Sequence, residues 1–161
     1  MAKIEGGDKL EAYLAKLSKM VNSAAYVDVG WPGGDTYPDG TSVAQVAAWN
    51  EFGTLRRESD PDGGEDIISI RTPARPFFRN MVSEKSPKWG SAIGALLEKN
   101  EFDAAKALGA AGEAIKGQLE QSIVDFTTPG NAPSTIARKG FDAPLRDTKH
   151  MLQSIKSVVR K

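Results

Sequence analysis

The stretch that decides the fold is Ala104-Ala-Lys-Ala-Leu-Gly-Ala-Ala-Gly-Glu-Ala-Ile-Lys-Gly-Gln-Leu-Glu-Gln-Ser-Ile-Val-Asp-Phe126. Its apolar residues recur at three- and four-residue spacing, which predicts an amphipathic helix over roughly 103–125. Such a helix is about 34 Å long. It contains Gly109, Gly112 and Gly117, and each glycine costs a helix about 1 kcal/mol relative to alanine. We therefore expect another element to approach the backbone of this helix closely.

Three short runs of β-forming residues lie on either side of the long helix. They predict strands at Tyr26–Gly30, at 67–70 and at 154–159. We expect the last of these, Ser154 to Val159, to pair with the first, because an unpaired strand would leave an exposed edge. The predicted fold is α+β, with a small, largely antiparallel sheet packed against the long helix, extended loops and a C-terminal strand.

The rest of the chain contains further helical signals and two long polar segments. Helices are predicted over roughly 8–22, from the capping box Ser42–Gln45 to Gly53, from Phe77 to Leu97 with an interruption near Pro87, over Thr135–Lys139, and from Asp147 or Thr148 through Gln153. The length predicts a single domain, 1–161, with a protruding acidic loop, 54–66, and an extended connector, 127–147. The acidic residues and glycines of 56–66 predict poor order in the free protein.

The overall composition is that of an ordinary globular protein. Of its 161 residues 40% are hydrophobic and 26% are charged, and the formal net charge is zero. The molecule therefore has no global field that would attract nucleic acid or an anionic membrane. It has no cysteine, which excludes disulfides and thiolate metal sites. Since no signal peptide and no apolar run of about 20 residues is present, we expect a soluble protein without a membrane anchor, made in the cytoplasm.

The charges are unevenly distributed along the chain. Residues 51–66 contain six acids and two bases, a local balance of −4, whereas residues 128–161 contain seven bases and two acids, a balance of +5. Such a charge dipole could match neighbouring subunits in a head-to-tail oligomer. The alternative is that the two segments are solvated faces that differ in sign.

No group of residues in the sequence is suited to catalysis. His150 is the only histidine, and Asp147, three residues before it on the same predicted helix, could orient its imidazole, but catalysis would also require a nucleophile or a metal partner, and we interpret His150 as a lone exposed histidine. The glycine-rich Trp31–Asp35 lacks the lysine of a phosphate loop, and the acids of 58–66 miss the EF-hand spacing. We expect no catalytic residues, no cofactor and no metal, and hence no enzyme. The aromatic residues Trp49, Phe52, Phe77 and Phe78 are expected to pack in the core.

Three sequence blocks follow one another along the chain: Ala48-Trp-Asn-Glu-Phe-Gly-Thr54, then Pro73-Ala-Arg-Pro-Phe-Phe78, and finally Asn131-Ala-Pro-Ser-Thr-Ile-Ala-Arg-Lys-Gly140 with Pro144–Ile155. In this order they resemble a family of bacteriophage neck proteins, the tail-completion or minor-tail-protein-Z type of long-tailed phages. The family's Asp-Thr-Gly lead into the last helix appears here as Asp147-Thr148-Lys149, which argues against a glycine-dependent turn at that point.

The resemblance implies a structural virion protein of the head–tail junction. It would form a ring of its own copies, six to match the tail axis, and contact neighbouring neck proteins: a head-completion protein, a tail terminator and a portal or adaptor. It implies no membrane partner, no sequence-specific nucleic acid, and a location in the virion neck after assembly in the host cytoplasm. We expect the interface to use the basic residues Arg138, Lys139, Arg146, Lys149, Arg56 and Arg57. The alternatives are a tail terminator that caps the tube and a small nucleic-acid-binding protein that uses the basic C-terminal part.

Overall fold

The structure, a computed structural model, describes residues 7–24, 26–58 and 67–161. The elements in chain order are α1 (Gly7–Val21), β1 (Tyr26–Gly30), α2 (Val43–Phe52), β2 (Thr54–Glu58), β3 (Ile67–Thr72), α3 (Phe77–Lys85), a 3₁₀ turn (Ser86–Lys88), α4 (Trp89–Lys99), α5 (Ala104–Asp125), α6 (Pro133–Lys139), α7 (His150–Gln153) and β4 (Lys156–Arg160). The α+β prediction is confirmed, since a small antiparallel sheet packs against the long helix α5.

The first and last strands of the chain form one two-stranded sheet. β1 pairs with β4 in antiparallel register, from Tyr26 opposite Arg160 to Gly30 opposite Lys156. The predicted pairing of the chain's last strand with its first is therefore confirmed. The strand begins two residues later than expected, because the N–H groups of Ser154 and Ile155 donate back to the carbonyl oxygens of His150 and Leu152 in α7, at 3.0 and 3.4 Å.

Helix α5 meets this sheet at one of its three glycines. A Cβ built on Gly112 would collide with Ser157 Oγ and lie 2.6 Å from Val27 Cγ2, so the sheet touches the helix backbone there. At Gly109 the nearest atom, Val159 Cγ2, would be at an ordinary 3.8 Å, and at Gly117 nothing lies within 4 Å. The expected close approach is thus confirmed at Gly112 and does not occur at Gly117.

The core lies where α5, α2, α3 and the segment around α7 meet. Its buried apolar side chains are Val43, Ala47, Phe77, Met81, Leu119, Ile123, Met151 and Ile155. Two polar links hold this packing in place: Trp31 Nε1 donates to the Met151 carbonyl oxygen at 2.8 Å, and Ser122 Oγ donates to the Phe77 carbonyl oxygen at 2.6 Å. The predicted burial of Phe77 is confirmed, and Phe78 packs partly buried against the same cluster.

A second two-stranded sheet corrects the predicted acidic loop. Residues 54–58 form β2, which pairs antiparallel with β3, so the loop expected over 54–66 is shorter by five residues. Residues 59–66 lie outside the described part of the chain. The strand was missed because the run Thr54–Glu58 is mostly polar, and its conformation comes from pairing with β3 rather than from intrinsic propensity.

Helix α1 leaves its apolar stripe in solvent. None of its residues is buried, and Leu10, Tyr13, Leu14 and Val21 are about half exposed. Its contact with the rest of the described chain is a limited one with α5. None of the described helices combines the length and the apolarity needed to cross a membrane.

The start of α7 differs from the prediction. The helix begins at His150, with Lys149 at the N-cap position instead of the predicted Asp147 or Thr148, and Lys149 is in the left-handed conformation, with φ 62°. Left-handed backbone is the conformation that glycine tolerates best. The turn that the sequence argued against is therefore formed, with a lysine in the strained position.

Candidate functional site

Arg75 is the point at which three distant segments of the chain meet. Its side chain is 8% exposed and donates to Asn50 Oδ1 at 3.2 Å, to the Pro129 carbonyl oxygen at 3.3 Å and to the Gly130 carbonyl oxygen at 3.1 Å. Its backbone N–H donates to the Asn50 carbonyl oxygen at 2.7 Å. These four bonds tie the end of α2 and the segment before α3 to the start of the connector.

The charge of Arg75 is balanced mainly by these carbonyl and amide dipoles. In the part of the chain that the structure describes, no carboxylate forms an ion pair with it. Burial lowers the pKa of Arg75, and the nearby Asp142 partly opposes that shift. Removing the side chain would leave the two connector carbonyls without their donor, and such a loss costs about 1–3 kcal/mol.

Glu51 joins the first two sequence blocks a second time. Its carboxylate is buried and accepts hydrogen bonds from the backbone N–H of Phe78 at 2.9 Å and of Arg79 at 3.1 Å. Arg79 Nε also donates to it at 2.7 Å. Pro76, at the N-cap position of α3, gives no side-chain cap. Glu51 from α2 therefore caps α3 with the negative charge that a helix N-terminus favours.

The connector is folded back on itself rather than extended throughout. Asp142 Oδ1 accepts from the backbone N–H and the side-chain amide of Asn131, both at 3.0 Å. Lys139, at the end of α6, donates to the Ala143 carbonyl oxygen at 3.0 Å and to the Arg146 carbonyl oxygen at 2.6 Å. These bonds close residues 131–146 into a compact loop.

A cleft of about 560 Å³, which we call the basic cleft, lies between this loop, α2 and the turn before α7. It is lined by five cationic side chains: Arg75, Arg138, Lys139, Arg146 and Lys149. Two carboxylates, Asp39 and Asp147, share the lining, which leaves a net charge of +3 with His150 neutral. The aromatic ring of Trp49, 44% exposed, is also part of the lining.

The structure brings together four of the six predicted interface residues. Arg138, Lys139, Arg146 and Lys149 are separated by up to eleven positions in sequence and line the same cleft. The other two, Arg56 and Arg57, are exposed on β2 and are not part of that lining. The six residues therefore belong to two separate surfaces.

The four cleft residues are not equally available to bind a partner. The ammonium group of Lys139 is held by two carbonyl oxygens of its own connector, and burial lowers its pKa. Its primary role in this structure is to close the loop. Arg138, in contrast, has a side chain that is 72% exposed and lies 3.4 Å from Asp147, and Lys149 is exposed beside it.

Asp147 and His150 do not form the pair that their spacing suggested. Asp147 bonds to Arg138, whereas His150 Nε2 lies 3.0 Å from the Thr36 carbonyl oxygen. Because a carbonyl oxygen only accepts, Nε2 carries the proton in this contact. The imidazole also lies edge-on to Tyr37, with ring centroids 4.9 Å apart. These contacts fix the ring in position against the loop before α2.

The expectation that Trp49 and Phe52 are core residues is wrong. Both lie on the outer side of α2, and Phe52 is 65% exposed, with the Arg79 guanidinium 5.0 Å from its ring centroid. Leu55 on β2 is similarly exposed. Trp49 and Phe52 are exposed because Val43, Ala47 and Glu51 are the buried residues of α2, and the two aromatic residues lie on the other side of the helix.

Sequence reasoning missed the residues that organise the site, Arg75, Asn50 and Glu51. Their position inside two of the sequence blocks, Ala48–Thr54 and Pro73–Phe78, was the one feature of the sequence that could have indicated their importance. Charged residues are rarely buried unless they are paired, so a pattern based on hydrophobicity assigns them to the surface.

Among the described residues, no group of histidine and acidic side chains has the arrangement of a metal site. The acidic stretch 59–66 lies outside those residues. No family model, no curated protein and no solved structure matches this chain.

Proposed function

We propose that the protein is a structural component of the neck of a long-tailed bacteriophage, which forms a ring at the head–tail junction and completes the tail. The observation that supports this most directly is the joint at Arg75. Asn50 and Glu51 from the first sequence block bond to Arg75 and Phe78 from the second, and Arg75 reaches Pro129 and Gly130 directly before the third. The blocks that carry the family resemblance thus build one structural unit.

Exposed apolar surface supports a role in assembly. The stripe of α1 and the patch formed by Trp49, Phe52 and Leu55 leave large apolar side chains in solvent. Contiguous exposed apolar surface on a small protein marks sites of interaction with other proteins. In the proposed neck, these surfaces and the basic cleft would contact other copies in a sixfold ring and the adjoining head-completion, terminator and portal or adaptor proteins.

The function can be tested by interrupting the encoding gene with a nonsense codon and examining the lysate by electron microscopy. We expect DNA-filled heads and separate tails of normal length, and we expect purified protein added to the lysate to restore joined particles. Tails of abnormal length would favour the alternative, a tail terminator. Joined, infective particles in the absence of the protein would contradict both proposals.

A further inference from the structure

The basic cleft holds one buried cationic donor that the described fold does not satisfy, together with exposed positive charge. Arg146 Nε is buried and, among the described residues, has no hydrogen-bond partner. A buried donor left unsatisfied costs about 1–3 kcal/mol, so the fold bears that cost unless a ligand meets the group. Arg138 and Lys149 add exposed positive charge around the same cleft. The group that best satisfies an arginine fork beside other cations is a carboxylate or a phosphate.

The other charges of the lining favour spaced carboxylates over a nucleic-acid backbone. Asp39 and Asp147 lie within the cleft and would repel a continuous row of phosphates. Binding of single-stranded nucleic acid also uses a series of aromatic rings for stacking. Here Trp49 is exposed, but Tyr37 is already in contact with His150. A peptide with acids at intervals fits the alternation of cations and anions better.

The chain itself contains a peptide of this kind. Residues 58–66 have the sequence Glu-Ser-Asp-Pro-Asp-Gly-Gly-Glu-Asp, with five carboxylates and no base. This stretch connects β2 to β3, and neither strand has an extensive contact with any other described element. The five residues of β2 extend over about 17 Å from the base of the hairpin, and the acidic stretch follows them in sequence.

The base of the hairpin is fixed in direction. Gly53 joins α2 to β2 with φ 76°, and a Cβ there would lie 2.8 Å from the Thr72 carbonyl oxygen and 2.9 Å from the Ala74 nitrogen. Only glycine fits this junction. The junction at Gly53 therefore fixes the direction in which β2 leaves α2.

We propose that the basic cleft of one copy binds the acidic stretch 58–66 of a second copy, with Arg138, Arg146 and Lys149 as the recognising cations. This is a heterologous contact, in which two different surfaces of the same chain meet, and repetition of such a contact gives a ring when the rotation between successive copies closes. The inference deepens the proposed function, because it names the contact between neighbouring copies in the ring.

The cleft can be tested with a fluorescently labelled peptide of residues 57–67. The receptor is the full chain with its own acids neutralised by Glu58→Gln, Asp60→Asn, Asp62→Asn, Glu65→Gln and Asp66→Asn, so that it cannot compete. Fluorescence anisotropy should show saturable binding that weakens as salt is added. Adding Arg138→Glu with Lys149→Glu should lower the affinity by about tenfold or more.

Two controls decide what a change in affinity means. Lys16→Glu with Lys19→Glu makes the same charge change on exposed positions of α1 and should leave peptide binding unaltered. A peptide with all five acids neutralised should not bind. Equal binding of that peptide, an unchanged affinity in the cleft variant, or tighter binding of a single-stranded oligonucleotide to the same cleft would overturn the proposal.

A second experiment tests whether the stretch comes from another copy. Sedimentation should show that the chain with neutralised acids forms complexes with the chain carrying Arg138→Glu and Lys149→Glu, while neither variant associates with itself. Absence of mixed complexes would contradict the contact between copies. These measurements use purified protein, whereas the neck function is tested by the lysate phenotype. Failure of peptide binding with unjoined heads and tails in the lysate would remove this contact and leave the neck function standing.

Discussion

The buried carboxylate of Glu51 accepts a hydrogen bond from the backbone N–H of Phe78 at 2.9 Å, so one helix supplies the N-terminal cap of another. The two residues are 27 positions apart, and the bond fixes α2 against α3 beside the Arg75 joint. The cap thereby couples the stability of α3 to the placement of α2, which carries the exposed Trp49 and Phe52.

Replacing Glu51 should therefore destabilise the fold. We expect Glu51→Ala to lower the free energy of unfolding by about 2 kcal/mol, because it removes a helix cap and leaves the two backbone donors of that cap without their acceptor. Glu51→Gln should lower the free energy of unfolding by less, since its amide oxygen still accepts a hydrogen bond. Urea denaturation measures both. The matched control is Glu113→Ala on the exposed side of α5, which should change stability by no more than about 0.5 kcal/mol.

Two of the three glycines of α5, Gly112 and Gly117, should respond to alanine in opposite ways. Gly112→Ala forces a methyl group into Ser157 and Val27, and we expect a loss of about 1–3 kcal/mol from overpacking. Gly117→Ala adds a methyl group in open space and should stabilise the helix by about 0.5–1 kcal/mol. Thermal unfolding followed by circular dichroism compares the two variants. Equal effects at both positions would contradict the observed contact between α5 and the sheet.

Replacing Lys149 by glycine should stabilise the folded protein. A residue other than glycine in the left-handed region costs about 1–2 kcal/mol, part of which is offset by the greater freedom of glycine in the unfolded chain. We expect Lys149→Gly to raise the free energy of unfolding by about 0.5–1 kcal/mol. Lys149→Ala removes the same charge but keeps the strain, so it should give no gain. A gain of the same size for both variants would assign the effect to charge.

The cap at the start of α5 should make stability depend on pH. Asp103 accepts from the backbone N–H of Lys106 at 3.1 Å, and this hydrogen bond is the main reason that its pKa is lowered. A lowered folded-state pKa means that the carboxylate stabilises the fold above its ordinary pKa and loses that contribution as pH falls through the folded-state value. The stability difference between the native chain and Asp103→Ala should therefore shrink below about pH 4. Asp103→Asn keeps a capping oxygen, so at neutral pH its free energy of unfolding should be closer to that of the native chain than is the value for Asp103→Ala.

The two ends of the chain should tolerate truncation very differently. Deleting residues 154–161 removes β4 and the buried Ile155, and we expect the remaining chain to lose cooperative unfolding. Deleting residues 1–21 removes α1, none of whose described residues is buried, and should leave the unfolding transition nearly unchanged. Calorimetry of the two truncated proteins measures the difference. A large destabilisation by the N-terminal deletion would show that the apolar stripe of α1 packs on the chain's own surface.

The sequence predicted the elements whose pattern is set by their own residues. The periodicity of 103–125 gave α5 within a residue at its start, and the β-forming runs placed β1 and its partner β4. β2 was not predictable in this way, because its polar residues become a strand only through pairing with β3. The outward position of Trp49 also depends on which side of α2 meets the core, and a short helix with apolar residues on several sides does not specify that.

The candidate site was half predictable for a related reason. A run of basic residues in the connector is visible in the sequence, and Arg138, Arg146 and Lys149 do line one cleft. Two other features are consequences of tertiary contacts. Lys139 donates to a carbonyl oxygen of its own connector, and Arg75 holds the loop although it lies more than fifty residues away in sequence. Hydrophobic periodicity contains no information about a buried arginine or about a lysine that donates to carbonyl oxygens of its own loop.

The pairing of β1 with β4 also has a consequence for the order of events during synthesis. β1 is made well before its partner, so β1 and the face of α5 that the sheet covers remain without that partner until β4 has been synthesised. Contacts between residues so far apart in sequence form late and slowly. A nascent chain that does not yet include β4 therefore has no complete β1–β4 sheet.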